Sequence, residues 1–168
     1  MNPQSTGKGM MAVACVLGLV VMTLSFGDLQ EERINPNQVP ASRTSGNVVE
    51  VDLERNRAGH YVVTGTINDE QVDFLLDTGA TDVVIPGELA NELGLPRGRT
   101  GRAMTANGPV TIYATTIDRL SIGDIVLRDV QASINPAMND MGILLGMSAL
   151  GQVEFRQEGD SLTLRQRL

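Results

Sequence analysis

The chain carries near its middle the run Val72-Asp73-Phe74-Leu75-Leu76-Asp77-Thr78-Gly79-Ala80-Thr81, which is followed by Val83-Val84-Ile85. The apolar residues predict a strand on each side of a tight turn at Asp77. A carboxylate between buried strands is costly unless hydrogen bonds or a shared proton stabilise it. A plain surface turn would explain a bare Asp-Thr-Gly tripeptide. The apolar flanks favour a functional acid, because ordinary surface turns do not lie within a core.

Composition limits the size and the partners of the protein. The chain has 168 residues, of which 42% are hydrophobic and 3% aromatic, so it can form one ordinary domain plus an appendage. The formal net charge is -7, and no cluster of lysine and arginine is visible. Because phosphate binding needs such clusters, the sequence argues against a nucleic-acid partner.

The cysteine and histidine counts exclude several kinds of chemistry. Cys15 is the only cysteine and His60 the only histidine, so neither an intrachain disulfide nor a zinc site built from several Cys or His ligands can form. We expect no metal and no cofactor. A Ser/His hydrolase would need His60 and an elbow such as 146–150, but Gly146-Met147-Ser148-Ala149-Leu150 lacks the second glycine of that pattern. His60 is predicted to be a surface residue at the start of a strand.

The N-terminal part predicts a membrane anchor. Residues 9–27 contain no charged side chain, and a helix of about 17–25 apolar residues can cross a bilayer. Lys8 precedes this segment, whereas Asp28, Glu31 and Glu32 follow it. The positive-inside rule therefore predicts a cytoplasmic N-terminus at residues 1–9, a transmembrane helix at 10–26 and the rest of the chain in the periplasm, at the inner membrane of a bacterium.

Two other interpretations of the apolar segment remain open. A cleaved signal peptide shares the basic start and the apolar centre, but no convincing Ala-x-Ala cleavage pattern appears around Leu24-Ser25-Phe26-Gly27. A core helix is disfavoured because a polar stretch follows directly. Residues 27–47 have few large apolar side chains and are predicted to be a flexible linker. The domain itself is predicted at residues 48–168.

Residues 48–168 predict an all-β fold with one or two short helices. Turn residues at 68–69, 107–108, 123–124 and 158–160 separate short β-prone runs, which implies a closed barrel or sandwich. One short helix is expected from about Gly87 to Leu93, with Gly94 as its C-terminal stop. The predicted strands are 48–53, 61–67, 72–76, 99–106, 110–120, 125–134, 141–145, 152–156 and 162–164.

Three ordered features together resemble one protein family. They are the run 75–81 around Asp-Thr-Gly, the hairpin tip Thr105-Ala106-Asn107-Gly108, and the later run Ile143-Leu144-Leu145-Gly146-Met147-Ser148-Ala149-Leu150. Their order and spacing are similar to those of the retropepsin-like aspartic proteases of clan AA, in particular the bacterial membrane-anchored branch with one catalytic motif per chain. The resemblance covers about residues 48–168 and implies that family's closed β-barrel.

The resemblance implies an aspartic endopeptidase. Such an enzyme needs two carboxylates that share one proton, and this chain has one Asp-Thr-Gly and no Asp-Ser-Gly. The second carboxylate would come from another copy, so we expect a homodimer with one site at its two-fold axis and a dyad that titrates as a unit. The partners would then be a protein or peptide substrate, a second copy of the chain, and the membrane.

The resemblance also suggests a role for each site residue. Asp77, Thr78 and Gly79 would be the catalytic residues: Asp77 would activate a water, the Thr78 hydroxyl would brace the two turns across the axis, and Gly79 would let backbone groups approach the substrate. The expected substrate-binding residues are Ala80 and Thr81 after the turn, and Ala106, Asn107 and Gly108 in a hairpin that would close as a flap. Leu144-Leu145-Gly146 would support the catalytic turn from beneath.

Two positions differ from the retroviral members of the family. Those members carry an acidic residue where this chain has Thr81 and an arginine where it has Met147. Because both charges are absent, neither is left unpaired and the fold need not suffer, but the strength of the dimer is open to question. Two other functions remain possible: a noncatalytic retropepsin-like binding or dimerisation module, and a β-barrel periplasmic adaptor in which Asp77 is structural.

Overall fold

The computed structural model of the protein describes Val16 and residues 34–105, 108–138 and 142–168. Apart from Val16, the predicted transmembrane segment lies outside these residues, as do Ala106 and Asn107 at the tip of the predicted flap. Within the described part of the chain, no helix is both long enough and apolar enough to cross a membrane.

Short strands make up most of the described chain, and two short helices interrupt them. The helices are α1 (Gly87–Glu92) and α2 (Met147–Leu150). The strands are β1 (Ala41–Ser45), β2 (Val48–Glu54), β3 (Val62–Ile67), β4 (Glu70–Leu76), β5 (Val83–Pro86), β6 (Thr100–Thr105), β7 (Gly108–Ile122), β8 (Ile125–Asn135), β9 (Ile143–Leu145), β10 (Glu154–Glu158) and β11 (Ser161–Arg167).

The larger sheet closes into a barrel. Its strand order is β3-β4-β9-β5-β8-β7-β6, and an additional pairing of β3 with β7 joins its ends into a closed six-strand barrel that leaves β6 outside. Gly65 is essential to the closure, because a Cβ atom there would lie 2.2 Å from the carbonyl oxygen of Ser121. The predicted retropepsin-like, all-β barrel is therefore confirmed.

A four-stranded antiparallel sheet covers one side of the barrel in the order β1-β2-β11-β10. Buried and more exposed side chains alternate along β2 and β11, as expected for a sheet with one buried face. The inner face contributes Val49, Val51, Leu53, Leu162 and Leu164 to the core. The outer face carries the charged row Arg43, Glu50, Arg165 and Glu154, which lie opposite one another in register across the four strands.

The core fills the barrel and the space beneath this second sheet. Phe74, Ile85, Ile117, Leu120 and Ile134 are fully buried. Because β4 and β9 both contribute buried side chains here, core packing fixes the two strands that lie beside Asp77.

The later part of the segment predicted to be a flexible linker, residues 34–47, is hydrogen-bonded to the domain. Residues 41–45 form β1 and pair with β2, and the side chains of Asn35 and Asn37 are buried. The Asn37 Nδ2 donates to the carbonyl oxygens of Glu54 and Val62 at 2.9 and 2.7 Å, and its Oδ1 accepts from the Glu54 N–H at 2.7 Å. Short polar side chains thus attach residues 34–47 to the domain by hydrogen bonds, which a search for apolar residues does not detect.

The turns and the first helix follow the predicted positions closely. Asn68 and Asp69 have φ values of 49° and 72°, and Gly123 and Gly159 have 53° and 60°, so the predicted hairpin turns use residues that tolerate positive φ. Helix α1 ends before Gly94, whose φ is 65°. His60 is exposed, as predicted.

Candidate active site

The site is built where β9 inserts between β4 and β5. Strand β9 runs parallel to β4, so that Leu145 lies beside Leu76, and antiparallel to β5, where Leu144 pairs with Val84. Strands β4 and β5 therefore do not pair with each other directly. The residues between them, 77–82, cross over the end of β9 as a loop, and Asp77 is the first residue of that loop.

Three hydrogen bonds hold Asp77. Its N–H donates to the carbonyl oxygen of Leu145 at 3.1 Å, and its carbonyl oxygen accepts from the N–H of Ala80 at 3.2 Å. The N–H of Gly79 donates to the Asp77 Oδ1 at 2.9 Å. The carboxylate is thus oriented by the backbone of its own turn.

Exposure distinguishes the turn from the strands on either side. Phe74 and Val83 are fully buried, whereas Asp77 is half-buried and Thr78 and Gly79 are exposed. In a single chain, the Asp77 carboxylate therefore keeps part of its contact with solvent, and the desolvation cost predicted from the sequence is smaller than for a fully buried acid. The three predicted catalytic residues lie together on an open surface at the barrel's end.

Gly146 allows the loop to lie directly against the end of β9. A Cβ atom at this position would lie 2.1 Å from the carbonyl oxygen of Asp82 and 2.8 Å from that of Ala80. Its φ of -87° is accessible to any residue, so the requirement for glycine is steric. The expectation that Leu144-Leu145-Gly146 supports the catalytic turn agrees with these contacts.

A network that the sequence analysis missed continues from Gly146 into α2. The N–H groups of Met147 and Ser148 donate to the carbonyl oxygens of Ala80 and Thr81 at 2.9 and 2.8 Å. The Ser148 Oγ accepts from the Val83 N–H at 2.9 Å and donates to the carbonyl oxygen of Gln131 at 2.7 Å. A single serine in a short apolar run gives no sequence signal for such a role.

The predicted substrate-binding residues fall into two groups. Ala80 and Thr81 lie in the loop at residues 77–82, half-buried and exposed respectively. Gly108, with φ of 104°, begins β7 opposite Thr105, whose Oγ1 donates to the Gly108 carbonyl oxygen at 2.8 Å. The β6–β7 hairpin connects to the site through β8, which pairs with β5. Ala106 and Asn107 lie outside the described residues.

The carboxylate nearest in sequence to Asp77 has structural contacts. The Asp73 Oδ1 accepts from the Asn35 Nδ2 at 2.9 Å and from the Thr64 Oγ1 at 2.5 Å, so Asp73 attaches the N-terminal segment to β4. Among the described residues, no group of three or more His, Cys, Asp or Glu side chains is arranged to hold a metal ion. One carboxylate can exchange one proton, so general acid and general base chemistry together need a second group.

Comparisons with known proteins agree with this architecture. Residues 63–152 match the family described as "gag-polyprotein putative aspartyl protease". The chain is 30% identical to a retropepsin-like aspartic protease from Rickettsia conorii of known crystal structure, with a TM-score of 0.60 over 76% of this chain and 95% of that one.

Two uncharacterized proteins are also similar. One, from Sinorhizobium and encoded in the cobV 5′ region, is 28% identical over 95% of this chain and 74% of its own length. The other, from Rickettsia prowazekii strain Madrid E, is 28% identical over 75% of this chain, and the match spans only 55% of its length. The family match covers more than half of the chain, including the Asp77 turn, β9 and α2. The chain belongs to the retropepsin-like aspartic protease family.

Proposed function

We propose that the protein is an aspartic endopeptidase that acts as a homodimer, with one Asp77 from each copy in a shared active site. The observation that carries the proposal is the placement of Asp77. Its carboxylate is oriented by the N–H of Gly79, and its backbone is bonded to the end of β9. A carboxylate that is fixed in position, yet open to a second molecule, suits a site completed by association.

Hydrolysis would proceed without a covalent intermediate. One Asp77 carboxylate takes a proton from a water held between the two acids, while its protonated counterpart donates a hydrogen bond to the peptide carbonyl. The water then attacks the carbonyl carbon, and the proton taken from it passes to the departing amine. Two carboxylates about 3 Å apart share one proton because like charges at that distance cannot both ionise.

Two observations support the proposed dimer: the number of catalytic motifs in the chain and the exposure of the turn. The chain has a single Asp-Thr-Gly, and Thr78 and Gly79 are exposed in one copy. A two-fold axis beside Asp77 brings the two turns together, with each Thr78 hydroxyl bracing the opposite turn. Ala80 and Thr81 then form the wall of the cleft, and the tip of the β6–β7 hairpin, around Ala106, Asn107 and Gly108, forms the flap.

We also propose that the enzyme is attached to the inner membrane with its catalytic domain in the periplasm. The support is the uncharged run at residues 9–27, with Lys8 before it and Asp28 after it. Anchoring in the membrane confines the copies to a surface and raises their effective concentration. This promotes dimer formation even where the free domains associate weakly. The substrate is a protein or peptide in the same compartment.

The substitution Asp77→Asn tests the proposed activity. It preserves the size of the side chain but removes the titrating acid, so cleavage of a peptide library should fall about a thousandfold or more. The matched control is Asp82→Asn in the same loop, which should retain cleavage. If the Asp77→Asn chain still forms the dimer and cleaves peptides at the wild-type rate, the chain is not an aspartic protease. If wild-type and variant both bind peptides without cleaving them, a noncatalytic binding module is the better description.

A further inference from the structure

Ser148 occupies the point where α2 meets the loop that carries Asp77. It is the second residue of α2 and lies two residues after Gly146, which packs closely against the carbonyl oxygen of Asp82. From this position the backbone of α2 reaches two residues of the segment between Asp77 and β5. Met147 and Ser148 donate to Ala80 and Thr81 respectively.

The hydroxyl group of Ser148 adds a bond that the backbone cannot supply. Its Oγ accepts from the N–H of Val83, a residue whose side chain is fully buried, and donates its own proton to the carbonyl oxygen of Gln131 in β8. A hydroxyl can donate and accept at the same time. Since the Ser148 hydroxyl proton is directed at the carbonyl oxygen of Gln131, a lone pair of the Oγ is free to accept from the N–H of Val83.

These bonds connect Ser148 to the catalytic carboxylate through a short series of contacts. Ser148 holds Thr81 within the loop at residues 77–82 and Val83 directly after it. In the same loop, the N–H of Ala80 donates to the carbonyl oxygen of Asp77. The same loop carries the Gly79 N–H that orients the Asp77 Oδ1. A shift of the loop therefore moves both the backbone and the carboxylate of Asp77.

We propose that Ser148 is a positioning residue for catalysis, which sets the orientation of the Asp77 carboxylate by holding the loop between Asp77 and β5 against α2 and β8. The inference rests on the proposed protease function. Ser148 has no role in binding the substrate or in the proton transfers. Its loss changes the geometry of the dyad, so the effect falls on kcat and leaves KM nearly unchanged.

The test compares serine substitutions at two positions. Ser121 is the matched control, because its hydroxyl is also half-buried and also hydrogen-bonded, to the Thr66 Oγ at 2.7 Å where β3 meets β7. Each serine is replaced by alanine and, in a second variant of nearly unchanged size, by cysteine. Peptide cleavage is measured on the full chain at protein concentrations that saturate dimer formation.

The expected result is a fall in kcat of about tenfold for Ser148→Ala, with KM within about twofold of wild type, because small misplacements of catalytic groups are costly. Ser121→Ala should keep the wild-type kcat. If Ser148→Ala does not fold, Ser148→Cys carries the test, and its kcat should fall below that of Ser121→Cys. Equal kcat values for the folded variants at the two positions would overturn the proposal.

Amide hydrogen exchange separates this inference from the proposed function. A wild-type chain that cleaves no peptide would reject the protease activity but not the positioning of the loop. In that case the N–H groups of Gly79 and Ala80, which bond to Asp77, are followed in Ser148→Ala and Ser121→Ala. Faster exchange in Ser148→Ala alone supports the positioning role, and equal exchange in both variants overturns it.

Discussion

The N–H of Asp77 donates to the carbonyl oxygen of Leu145 at 3.1 Å, which joins the Asp-Thr-Gly turn to a strand from far later in the chain. The bond continues the parallel register in which Leu76 lies beside Leu145. It places Asp77 at the end of a three-strand arrangement whose middle strand, β9, contacts β4 on one side and β5 on the other. The position of the acid therefore depends on the completed barrel and not on the local turn alone.

Gly146→Ala should damage both stability and activity. The added Cβ would meet two backbone carbonyl oxygens of the loop at residues 77–82, at 2.1 and 2.8 Å, and the backbone cannot move aside easily. We expect a loss of about 1–3 kcal/mol in the free energy of unfolding, and a larger proportional loss of kcat, because the displaced loop carries Asp77. Urea unfolding and peptide cleavage measure the two effects.

The control for this substitution is Gly101→Ala. A Cβ atom at Gly101 would lie 3.4 Å from the Ile112 Cγ1, an ordinary contact. Its free energy of unfolding should remain within about 0.5 kcal/mol of wild type, as for most surface substitutions. Equal losses for the two alanine variants would show that the contact of Gly146 with Asp82 has no special importance.

Asn37→Ala should destabilise the domain although the residue lies in the segment that the sequence predicts to be a linker. The substitution leaves the carbonyl oxygens of Glu54 and Val62 and the N–H of Glu54 without the Asn37 side chain. We expect a loss of about 2–3 kcal/mol, since buried polar groups without partners are costly. Urea unfolding checks it, with the exposed Asn47→Ala as the control. Similar midpoints for both variants would mean that residues 34–47 do not stabilise the fold.

Two truncations test where the domain begins. A chain starting at Ile34 retains Asn35, Asn37 and β1, so it should unfold cooperatively and remain in the soluble fraction without detergent. A chain starting at Val48 lacks all three and should unfold at a lower urea concentration or fail to fold. The full chain should sediment with membranes, which the anchor at residues 10–26 predicts. A chain starting at Ile34 that also sediments with membranes would contradict that prediction.

Local patterns in the sequence were sufficient to predict most of the barrel. Alternating apolar residues gave the strands, and turn residues such as Asn68-Asp69 and Gly123 marked their ends, because positive φ values select few residue types. The Asp-Thr-Gly run and the later Leu144-Leu145-Gly146 gave the two elements that meet in the site. Their contact could be expected only from the resemblance to a family, since parallel pairing between distant strands leaves no local signal.

The missed features rest on side-chain hydrogen bonds. Asn35, Asn37 and Ser148 are short polar residues that are typical of loops, and each forms long-range bonds whose partners are backbone atoms or small polar groups. Backbone groups are present at every residue, so the sequence does not show which of them a side chain will meet. Strand β1, with the sequence Ala-Ser-Arg-Thr-Ser, was missed for a related reason: it is an edge strand with little buried surface.

Mixing two kinds of chain tests most directly whether each active site uses one Asp77 from each copy. Wild-type and Asp77→Asn chains are combined in equal amounts under conditions in which dimers exchange, and peptide cleavage per wild-type chain is measured. If the site needs both carboxylates, random pairing leaves about half of the wild-type chains in active dimers, so the activity per wild-type chain should fall to about half and decrease further as more variant is added. Activity per wild-type chain that stays constant throughout the titration, with mixed dimers demonstrated by cross-linking, would contradict the shared site.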